Sequence, residues 1–189
     1  VVVSVFVNPT QFTEGEDFDT YPRTLTDDVR ACEQRGVRWV FAPNAAEMYP
    51  VGDDTTVRVQ SLGAGLCGVS RPHFFGGVAR VVLKLLNIAG AEIAVFGEKD
   101  YQQLQVIRRM VRDTHHTTEI IGAPIVREAD GLAMSSRNRN LTSDERVRAP
   151  ELYRALSALV ATIEKDGSPA AVESALVRAR QHIEVSGAR

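Results

Sequence analysis

Short apolar runs in this chain alternate with longer segments in which apolar positions recur every three or four residues. The predicted strands are Val1 to Val7, Val37 to Phe41, Glu92 to Phe96 and Thr117 to Ile121. Strands and helices that alternate at this spacing form βαβ units around a parallel sheet, so the chain is predicted to have an α/β fold. The first run is apolar except for Ser4, which is typical of a strand buried on both faces.

Helices are predicted from the helical period and from capping signals. They run from Thr26 to Gly36, from about Gly77 to Asn87, from Tyr101 to Thr114, from Ser143 to Lys165 and from Pro169 to Val185. Thr26 is the predicted N-cap of the first helix, because acidic residues fill the turn that follows it. The second helix is so apolar that we expect it to be largely buried. Thr55 to Val59 alternates like a short strand.

The pattern of the chain changes after residue 126. The segment from Arg127 to Asn140 is polar and rich in arginine, and Thr142 is followed three residues later by Glu145, which is a capping-box sequence. Only helices are predicted beyond it. We therefore expect an α/β domain over residues 1–126 and the start of a second domain over residues 127–189.

Composition narrows the class of protein. The chain has 189 residues, of which 44% are apolar, enough for a sizeable core. Its 22 basic and 24 acidic side chains form no Lys/Arg block, so neither a nucleic acid nor a membrane is expected as a partner. Cys32 and Cys67 lack metal-ligand spacing, and we expect both to be packing residues in a reducing cytoplasm.

The start of the chain is unusual. Neither a methionine nor a positively charged segment precedes the first apolar run, so the run is not a signal peptide. A chain that begins inside a predicted core strand is expected to lack residues upstream. The helical pattern at the C-terminus is not followed by a closing strand, so we expect a segment to be missing there as well.

The most informative group for function is Gly97-Glu98-Lys99-Asp100, which lies where a predicted strand gives way to a helix. Ligands bind at such positions in open α/β sheets, because loops gather at the carboxyl ends of the strands and helix N-termini offer free amides to anions. Lys99 can reach phosphate oxygens, and Asp100 can accept a ribose hydroxyl or cap the helix. The alternative is an ordinary capped turn with an exposed ion pair.

Two further groups have suitable chemistry. Ser135, Ser136 and Arg137 combine two hydroxyls with a guanidinium, which suits a triphosphate, although loop serines also form ordinary turns. Gln11 and Gln103 each carry an amide that both donates and accepts hydrogen bonds. Such amides suit a small substrate with hydroxyl and carboxylate groups.

Other polar residues are less specific. Asn8 precedes a proline and has a ready explanation as a strand-ending turn residue. Asp27 and Asp28 can help to hold magnesium, but a helix dipole favours acidic residues in a first turn in any case. His73, in a Gly-rich loop, is the one histidine we keep as a possible ligand contact. The sequence has no zinc-ligand cluster, nucleophile elbow or Walker A pattern, so neither covalent catalysis nor a protein-held metal is predicted.

Taken together, these residues resemble the pantothenate synthetase family, the pantoate:β-alanine ligases of the nucleotidylyltransferase superfamily. The matching segments, in chain order, are FVNPTQF, DTYPRT, EMYP, LKLLN, FGEKDYQQL, VREADGLAMSSRN and LT. The resemblance implies a Rossmann-like parallel sheet with flanking helices, followed by part of a smaller C-terminal α+β domain that closes over the nucleotide. It also implies a cytoplasmic homodimer.

The resemblance implies a ligase of coenzyme A precursor synthesis. In the implied reaction, the pantoate carboxylate attacks the α-phosphate of Mg-ATP to give pantoyl adenylate and pyrophosphate, and β-alanine then displaces AMP. No side chain of the protein becomes covalently attached.

The resemblance also assigns residues to ligands. It implies that Lys99, Ser135 and Ser136 are the catalytic donors and that Val126 contacts adenine through its backbone. The full set of residues implied at the ATP site is Gly97, Glu98, Lys99, Asp100, Val126, Met134, Ser135, Ser136 and Arg137. Gln11 and Gln103 are implied to grip pantoate, with Asn8 close by and Gln11 also near β-alanine.

Two departures from the family pattern qualify these expectations. The family's histidine-x-glycine-histidine motif lies upstream of the first strand and is absent here, so this chain alone is expected to be inactive. His73 stands one position earlier than the family's Gly-His-Phe histidine, which leaves its role open. Two alternatives therefore remain: a non-catalytic nucleotide-binding fragment or pseudoenzyme, and another nucleotidylyltransferase. Gln11 and Gln103 argue against the second, because phosphate recognition favours Arg or Lys.

Overall fold

The computed structural model describes residues 1–13 and 15–187. The chain divides into two compact units, one spanning Val1–Pro124 and the other beginning at Ile125. In the described part of the chain, no helix is both long enough and apolar enough to cross a bilayer.

The first unit alternates strands with helices, as predicted. Its elements are β1 (Val2–Ser4), a 3-10 helix (Pro9–Gln11), α1 (Leu25–Glu33), β2 (Trp39–Phe41), α2 (Ala45–Met48), α3 (Gln60–Ala64), α4 (Cys67–Ser70), α5 (Phe74–Ala89), β3 (Ile93–Gly97), a second 3-10 helix (Glu98–Asp100), α6 (Tyr101–Asp113) and β4 (Glu119–Ala123). β1 pairs with β2 and β3 pairs with β4, both in parallel. The predicted α/β class with parallel strands and flanking helices is confirmed.

Helices α5 and α6 supply most of the core of the first unit. Their fully buried side chains include Val78, Ala79, Leu104, Val106, Ile107 and Met110. Burying each large apolar side chain stabilises the fold by about 1.5–3 kcal/mol. The prediction that the apolar helix before Asn87 is largely buried is confirmed. It ends where Gly90 adopts a left-handed conformation and donates its N–H to the carbonyl of Leu86.

The prediction that the first strand is buried on both faces is wrong. β1 covers only three residues, and Val2 lies opposite Trp39 in the register of the β1–β2 pair. Val2 is 49% exposed and Trp39 is 61% exposed. One face of this pair is therefore open to solvent.

Three local predictions are corrected. Helix α1 begins after Thr24 and not after Thr26, and the Thr24 hydroxyl bonds to the Asp28 carboxylate instead of to a backbone N–H. Thr55 to Val59 is not a strand: its valines alternate because they pack against the core and not because they pair in a sheet. Cys67 is exposed, so the prediction that it is a packing residue is wrong.

The second unit is helical after a polar loop. Its described residues form an isolated antiparallel bridge between Arg127 and Ala133, followed by a 3-10 helix (Ser136–Asn140), α7 (Ser143–Arg148), α8 (Glu151–Lys165) and α9 (Pro169–Val185). α8 and α9 pack against each other, and His182 Nε2 of α9 lies 2.7 Å from Glu151 Oε2 of α8.

The start of α7 confirms the capping-box prediction. The Thr142 hydroxyl accepts the N–H of Glu145, and the Glu145 carboxylate accepts the N–H of Thr142. The single helix predicted from Ser143 to Lys165 is instead two helices. Pro150 lies at the junction between them, where it lacks an N–H for the helical ladder and its ring disfavours continuation.

Candidate functional site

Two polar segments of the first unit follow the carboxyl ends of parallel strands. The 3-10 helix Pro9–Gln11 comes shortly after β1, and the 3-10 helix Glu98–Asp100 comes directly after β3. The end of a parallel strand is where α/β folds place ligand-binding groups. The structure therefore puts both predicted groups at positions of the expected kind.

Lys99 is held only loosely by the protein. Its side chain is 41% exposed, and its Nζ lies 3.7 Å from Asp100 Oδ1. An exposed pair at this distance contributes little to stability, so the ammonium can turn toward an anionic ligand. Asp100 precedes α6 but makes no side-chain capping bond, which means that capping does not explain its presence.

Glu98 lies over the neighbouring strand β4. A Cβ placed on Gly122 would come within 2.9 Å of Glu98 Oε1 and 3.1 Å of Leu104. A Cβ at these distances would displace the Glu98 carboxylate, so glycine at this position leaves the space that Glu98 occupies.

The Asn8 side chain is buried, with 3% of its surface exposed. Its Oδ1 accepts hydrogen bonds from Tyr49 Oη at 2.7 Å, from Thr10 Oγ1 at 2.9 Å and from Thr10 N at 3.2 Å. Its Nδ2 donates to Gln11 Oε1 at 3.1 Å and to the carbonyl of Gly77 at 3.2 Å. Every hydrogen-bonding position of this amide thus has a protein partner.

Gly77 allows helix α5 to approach the Pro9–Gln11 segment. A Cβ on Gly77 would lie 2.4 Å from the carbonyl oxygen of Thr10. Any side chain at position 77 would therefore push the two elements apart and stretch the bond from Asn8 to the Gly77 carbonyl.

Arg71 fixes the same segment from another side. Its Nε and Nη2 bind the Glu16 carboxylate at 2.6 and 2.7 Å, and Nη2 also donates to the carbonyl of Gln11 at 3.0 Å. The guanidinium lies 4.0 Å from the ring centre of Phe74. The hydrogen bonds from Arg71 lower the pKa of Glu16. No local sequence pattern marks this ion pair, whose members lie 55 residues apart.

Tyr49 is supported by an ionic cluster. Asp53 pairs with Lys84 and with Arg80 Nη2, the latter at 3.0 Å, and both cations lie 5.0 Å from the Tyr49 ring centre. Hydrogen bonds from Lys84 and then from Arg80 lower the pKa of Asp53. Burial raises the pKa of Tyr49, so its hydroxyl stays protonated and donates to Asn8.

The two adjacent glutamines of α6 have different surroundings. Gln102 Nε2 donates to the carbonyls of Leu62 and Gly65 at 2.9 and 2.7 Å, and its Oε1 accepts the N–H of Cys67 at 3.2 Å. Gln102 therefore fastens the Gly-rich segment of α3 and α4 to the first turn of α6. Gln103, the residue predicted to bind substrate, is partly buried one position further along. The role of Gln102 was not predicted, because nothing in the local sequence distinguishes Gln102 from Gln103.

The predicted phosphate-binding group of the second unit lies in one loop. The Met134 N–H donates to the carbonyl of Val126 at 2.9 Å, and Ser135 Oγ accepts the N–H of Arg137 at 3.2 Å. An open cavity of about 540 Å³ is lined by Glu128, Met134, Ser135, Ser136, Asn138 and Arg139. The loop thus brings both predicted serines to a single cavity, but the cation that lines it is Arg139 and not the predicted Arg137.

His73 lies at the start of α5 and makes no capping bond there. It lines a second open cavity, of about 410 Å³, in the first unit. The other residues around this cavity are Thr10, Thr56, Val57, Arg58, Pro72, Gly76, Gly77 and Arg80. A role for His73 in ligand binding stays a prediction.

Parallel strands flanked by helices, with Lys99 and two glutamines in the helical segments that follow strand ends, are typical of α/β proteins that bind a small ligand at the strand termini. Comparison with known proteins narrows this class. A family model described as pantoate-beta-alanine ligase matches residues 1–188. The chain belongs to this family.

Relatives agree with that assignment. The pantothenate synthetase of Halorhodospira halophila is 57% identical over 166 residues, which cover 87% of this chain and 58% of the relative. The crystal structure of pantothenate synthetase from Thermus thermophilus matches with a TM-score of 0.93 and 47% identity, over 97% of this chain and 66% of that one.

A second solved structure shows bound ligands in the family. The pantoate-beta-alanine ligase of Francisella tularensis, complexed with beta-gamma ATP and beta-alanine, matches with a TM-score of 0.78 and 40% identity. That match covers 82% of this chain and 60% of the other. The chain spans about three fifths of the length of the curated relatives it matches.

Proposed function

We propose that the protein containing this chain condenses pantoate with β-alanine in an ATP-dependent reaction. Pantoyl adenylate is the intermediate, and AMP and pyrophosphate are released. Family membership over residues 1–188 supports the proposal, as does the relative crystallised with beta-gamma ATP and beta-alanine. The observation that carries it is the exposed, weakly paired Lys99 directly after β3.

Lys99 is the central cation of the proposed ATP site. Its ammonium neutralises charge on the phosphates as pantoate attacks, which is the kind of stabilisation that adenylation requires. Ser135 and Ser136 donate hydrogen bonds to the same phosphates, and Val126 contacts adenine through its backbone. The full set of residues proposed for this site is Gly97, Glu98, Lys99, Asp100, Val126, Met134, Ser135, Ser136 and Arg137. Magnesium enters as Mg-ATP, bound to phosphate oxygens and water.

Gln11 and Gln103 are proposed to hold pantoate, and Asn8 is hydrogen-bonded to Gln11. Neutral amides suit a hydroxy acid because they bind hydroxyl and carboxylate groups without adding charge. Held in this way, the pantoate carboxylate is positioned to attack the α-phosphate, so that the protein contributes positioning and charge stabilisation instead of a covalent step.

We propose that the second unit shields the pantoyl adenylate intermediate from water. A mixed anhydride hydrolyses when water reaches it, so closure of a lid raises the yield of the second step. We propose that residues 1–126 form the nucleotide-binding domain, that residues 127–189 begin the lid domain, and that the enzyme acts as a cytoplasmic homodimer.

The test is a product assay on the full-length gene product. ATP, pantoate and β-alanine together are expected to give pantothenate, AMP and pyrophosphate in equal amounts, and omission of any one substrate is expected to abolish pantothenate. Release of ADP and phosphate in place of AMP and pyrophosphate contradicts the proposal, because it indicates an acyl phosphate intermediate.

A further inference from the structure

The orientation of the buried Asn8 amide is determined by two backbone groups. The N–H of Thr10 can only donate, so the atom 3.2 Å from it is the oxygen, Oδ1. The carbonyl of Gly77 can only accept, so the atom 3.2 Å from it is the nitrogen, Nδ2. A rotated amide would lose both bonds inside a buried site, where unsatisfied polar groups are costly.

This orientation determines that of Gln11. The second hydrogen of Asn8 Nδ2 is directed at Gln11, 3.1 Å away, which must therefore present its oxygen, Oε1. Both hydrogens of Gln11 Nε2 remain for a ligand, and in the described part of the chain no protein acceptor is bonded to them. The sequence alone does not show whether the Gln11 amide donates or accepts hydrogen bonds. Its contact with Asn8 shows that it presents a donor to a ligand.

The surroundings make this arrangement rigid. Tyr49 donates a 2.7 Å hydrogen bond to Asn8 Oδ1 and is itself flanked by the cations of Arg80 and Lys84. Gly77 permits the close approach of α5, and Arg71 holds the carbonyl of Gln11. The backbone and the side-chain amide of Gln11 are therefore both restrained before a ligand arrives.

We infer that Asn8 and Tyr49 are positioning residues that hold the Gln11 amide with its N–H groups toward the ligand, so that Gln11 binds an acceptor oxygen of the substrate. If the proposed function holds, the hydrogen-bond partner of Gln11 Nε2 is an oxygen of pantoate, either of its carboxylate or of a hydroxyl. This identification rests on the proposed function. Asn8 itself has no hydrogen-bonding position left for pantoate.

The test follows the Gln11 side chain directly. In the ¹⁵N-labelled full-length gene product, the Gln11 Nε2 signal is assigned by its loss in Gln11→Glu. Its heteronuclear NOE is expected to exceed those of the exposed Gln34 and Gln181. In Asn8→Ala this NOE is expected to fall to their level, while the backbone signals of α5 and α6 stay in place. An unchanged Gln11 NOE in a folded Asn8→Ala variant overturns the inference.

Tyr49→Phe is the second variant, because it removes one donor to Asn8 and leaves the Asn8 amide intact. It is expected to lower the Gln11 NOE by less than Asn8→Ala does, and it keeps the inference testable if Asn8→Ala does not fold. A folded Tyr49→Phe variant with an unchanged NOE overturns the role of Tyr49.

Ligand binding supplies a readout that a merely structural role would not produce. Pantoate affinity of the full-length gene product is expected to fall about tenfold in Asn8→Ala, with ATP affinity nearly unchanged. In a Gln11→Ala background, Asn8→Ala is expected to cause no further loss, since Asn8 acts through Gln11. Equal losses in both backgrounds overturn the inference.

Failure of the positioning role and failure of the proposed function give different results. If the Gln11 NOE falls in Asn8→Ala but the unmodified full-length protein does not bind pantoate, the positioning role holds and the proposed function is wrong.

Discussion

The 3-10 helix Pro9–Gln11 and the loop of residues 135–140 carry proposed ligand groups, but they are built differently. Asn8, next to the first segment, is buried and bonded to Tyr49 and Gly77, which lie 41 and 69 residues away in sequence. In the second segment, Ser135 bonds to Arg137 N and Asn138 bonds to the carbonyl of Ala133, both within the loop. The segment next to Asn8 is therefore held by contacts with distant parts of the chain. The two bonds named in the Ser135 loop join residues that are close in sequence.

This difference agrees with the two proposed roles, pantoate binding by Gln11 and phosphate binding by the Ser135 loop. Neutral amides recognise a small hydroxy acid well only if their donors and acceptors are oriented beforehand. Phosphates are bound mainly through charge and several interchangeable hydrogen-bond donors. A loop that is held only by local hydrogen bonds is therefore sufficient to bind them. We therefore expect substitutions near Asn8 to alter stability as well as substrate use, and substitutions in the second loop to alter catalysis with less effect on stability.

The largest expected effect is that of Lys99→Ala. Loss of the ammonium removes charge stabilisation at the phosphates, and adenylate formation by the full-length gene product is expected to fall about a hundredfold or more. Circular dichroism and urea unfolding are expected to change little, because the Lys99 ion pair is exposed. Lys165→Ala, at the exposed end of α8, is the matched control and is expected to keep full activity. Near-normal turnover of Lys99→Ala would show that the assignment is wrong.

Gly77→Ala tests the anchored segment. Its new Cβ would lie 2.4 Å from the Thr10 carbonyl, so the free energy of unfolding is expected to fall by about 1–3 kcal/mol. Gly76→Ala is the control, because the nearest atom to its Cβ is the Val57 carbonyl oxygen at 3.7 Å. Urea titrations of both variants are compared with Asn138→Ala. Equal losses in Gly77→Ala and Asn138→Ala would remove the contrast between the two segments.

The adjacent glutamines of α6 give a smaller and more specific effect. Gln103→Ala is expected to weaken pantoate binding by about tenfold and to leave ATP binding largely intact. Gln102→Ala is expected to act mainly on stability, since it releases the backbone of Leu62, Gly65 and Cys67. Calorimetric titrations with each ligand separate the two. Equal loss of pantoate and ATP binding in Gln103→Ala would indicate misfolding instead of a lost contact.

The smallest expected effect concerns acid pH. The folded-state pKa of Asp53 lies below its usual 3.8 because of Lys84 and Arg80. The stability that this carboxylate provides is therefore present above that usual value and is lost as the pH falls through the folded pKa. Asp53→Asn is expected to be less stable than the parent near neutral pH and to show a flatter decline in acid. Parallel pH profiles of the unfolding midpoint would contradict this.

Features that depend on neighbouring residues were predictable. The capping box at Thr142 and the strand-to-helix transition around Lys99 were both confirmed, because the sequence within a few positions determines them. The boundary at Thr24 was missed because two threonines two residues apart are equally good caps by sequence.

Features that depend on distant partners were not predictable. The bonds that join Asn8 to Tyr49 and Gly77 leave no trace in local periodicity, and neither does the ion pair of Arg71 with Glu16. Thr55 to Val59 has the alternation of a strand but pairs with no strand among the residues that the structure describes. Residue chemistry therefore led to the proposal of which groups bind a ligand, and the structure was needed to show what orients Asn8 and Gln11.

The most direct test of the proposed ligase reaction is pantoate-dependent exchange of labelled pyrophosphate into ATP, without β-alanine, by the full-length gene product. This exchange reports the first half-reaction alone, which depends on the groups proposed for ATP and pantoate. We predict exchange that requires pantoate and is lost in Lys99→Ala. Exchange that is absent, or that proceeds equally well without pantoate, would contradict the proposed ligase reaction.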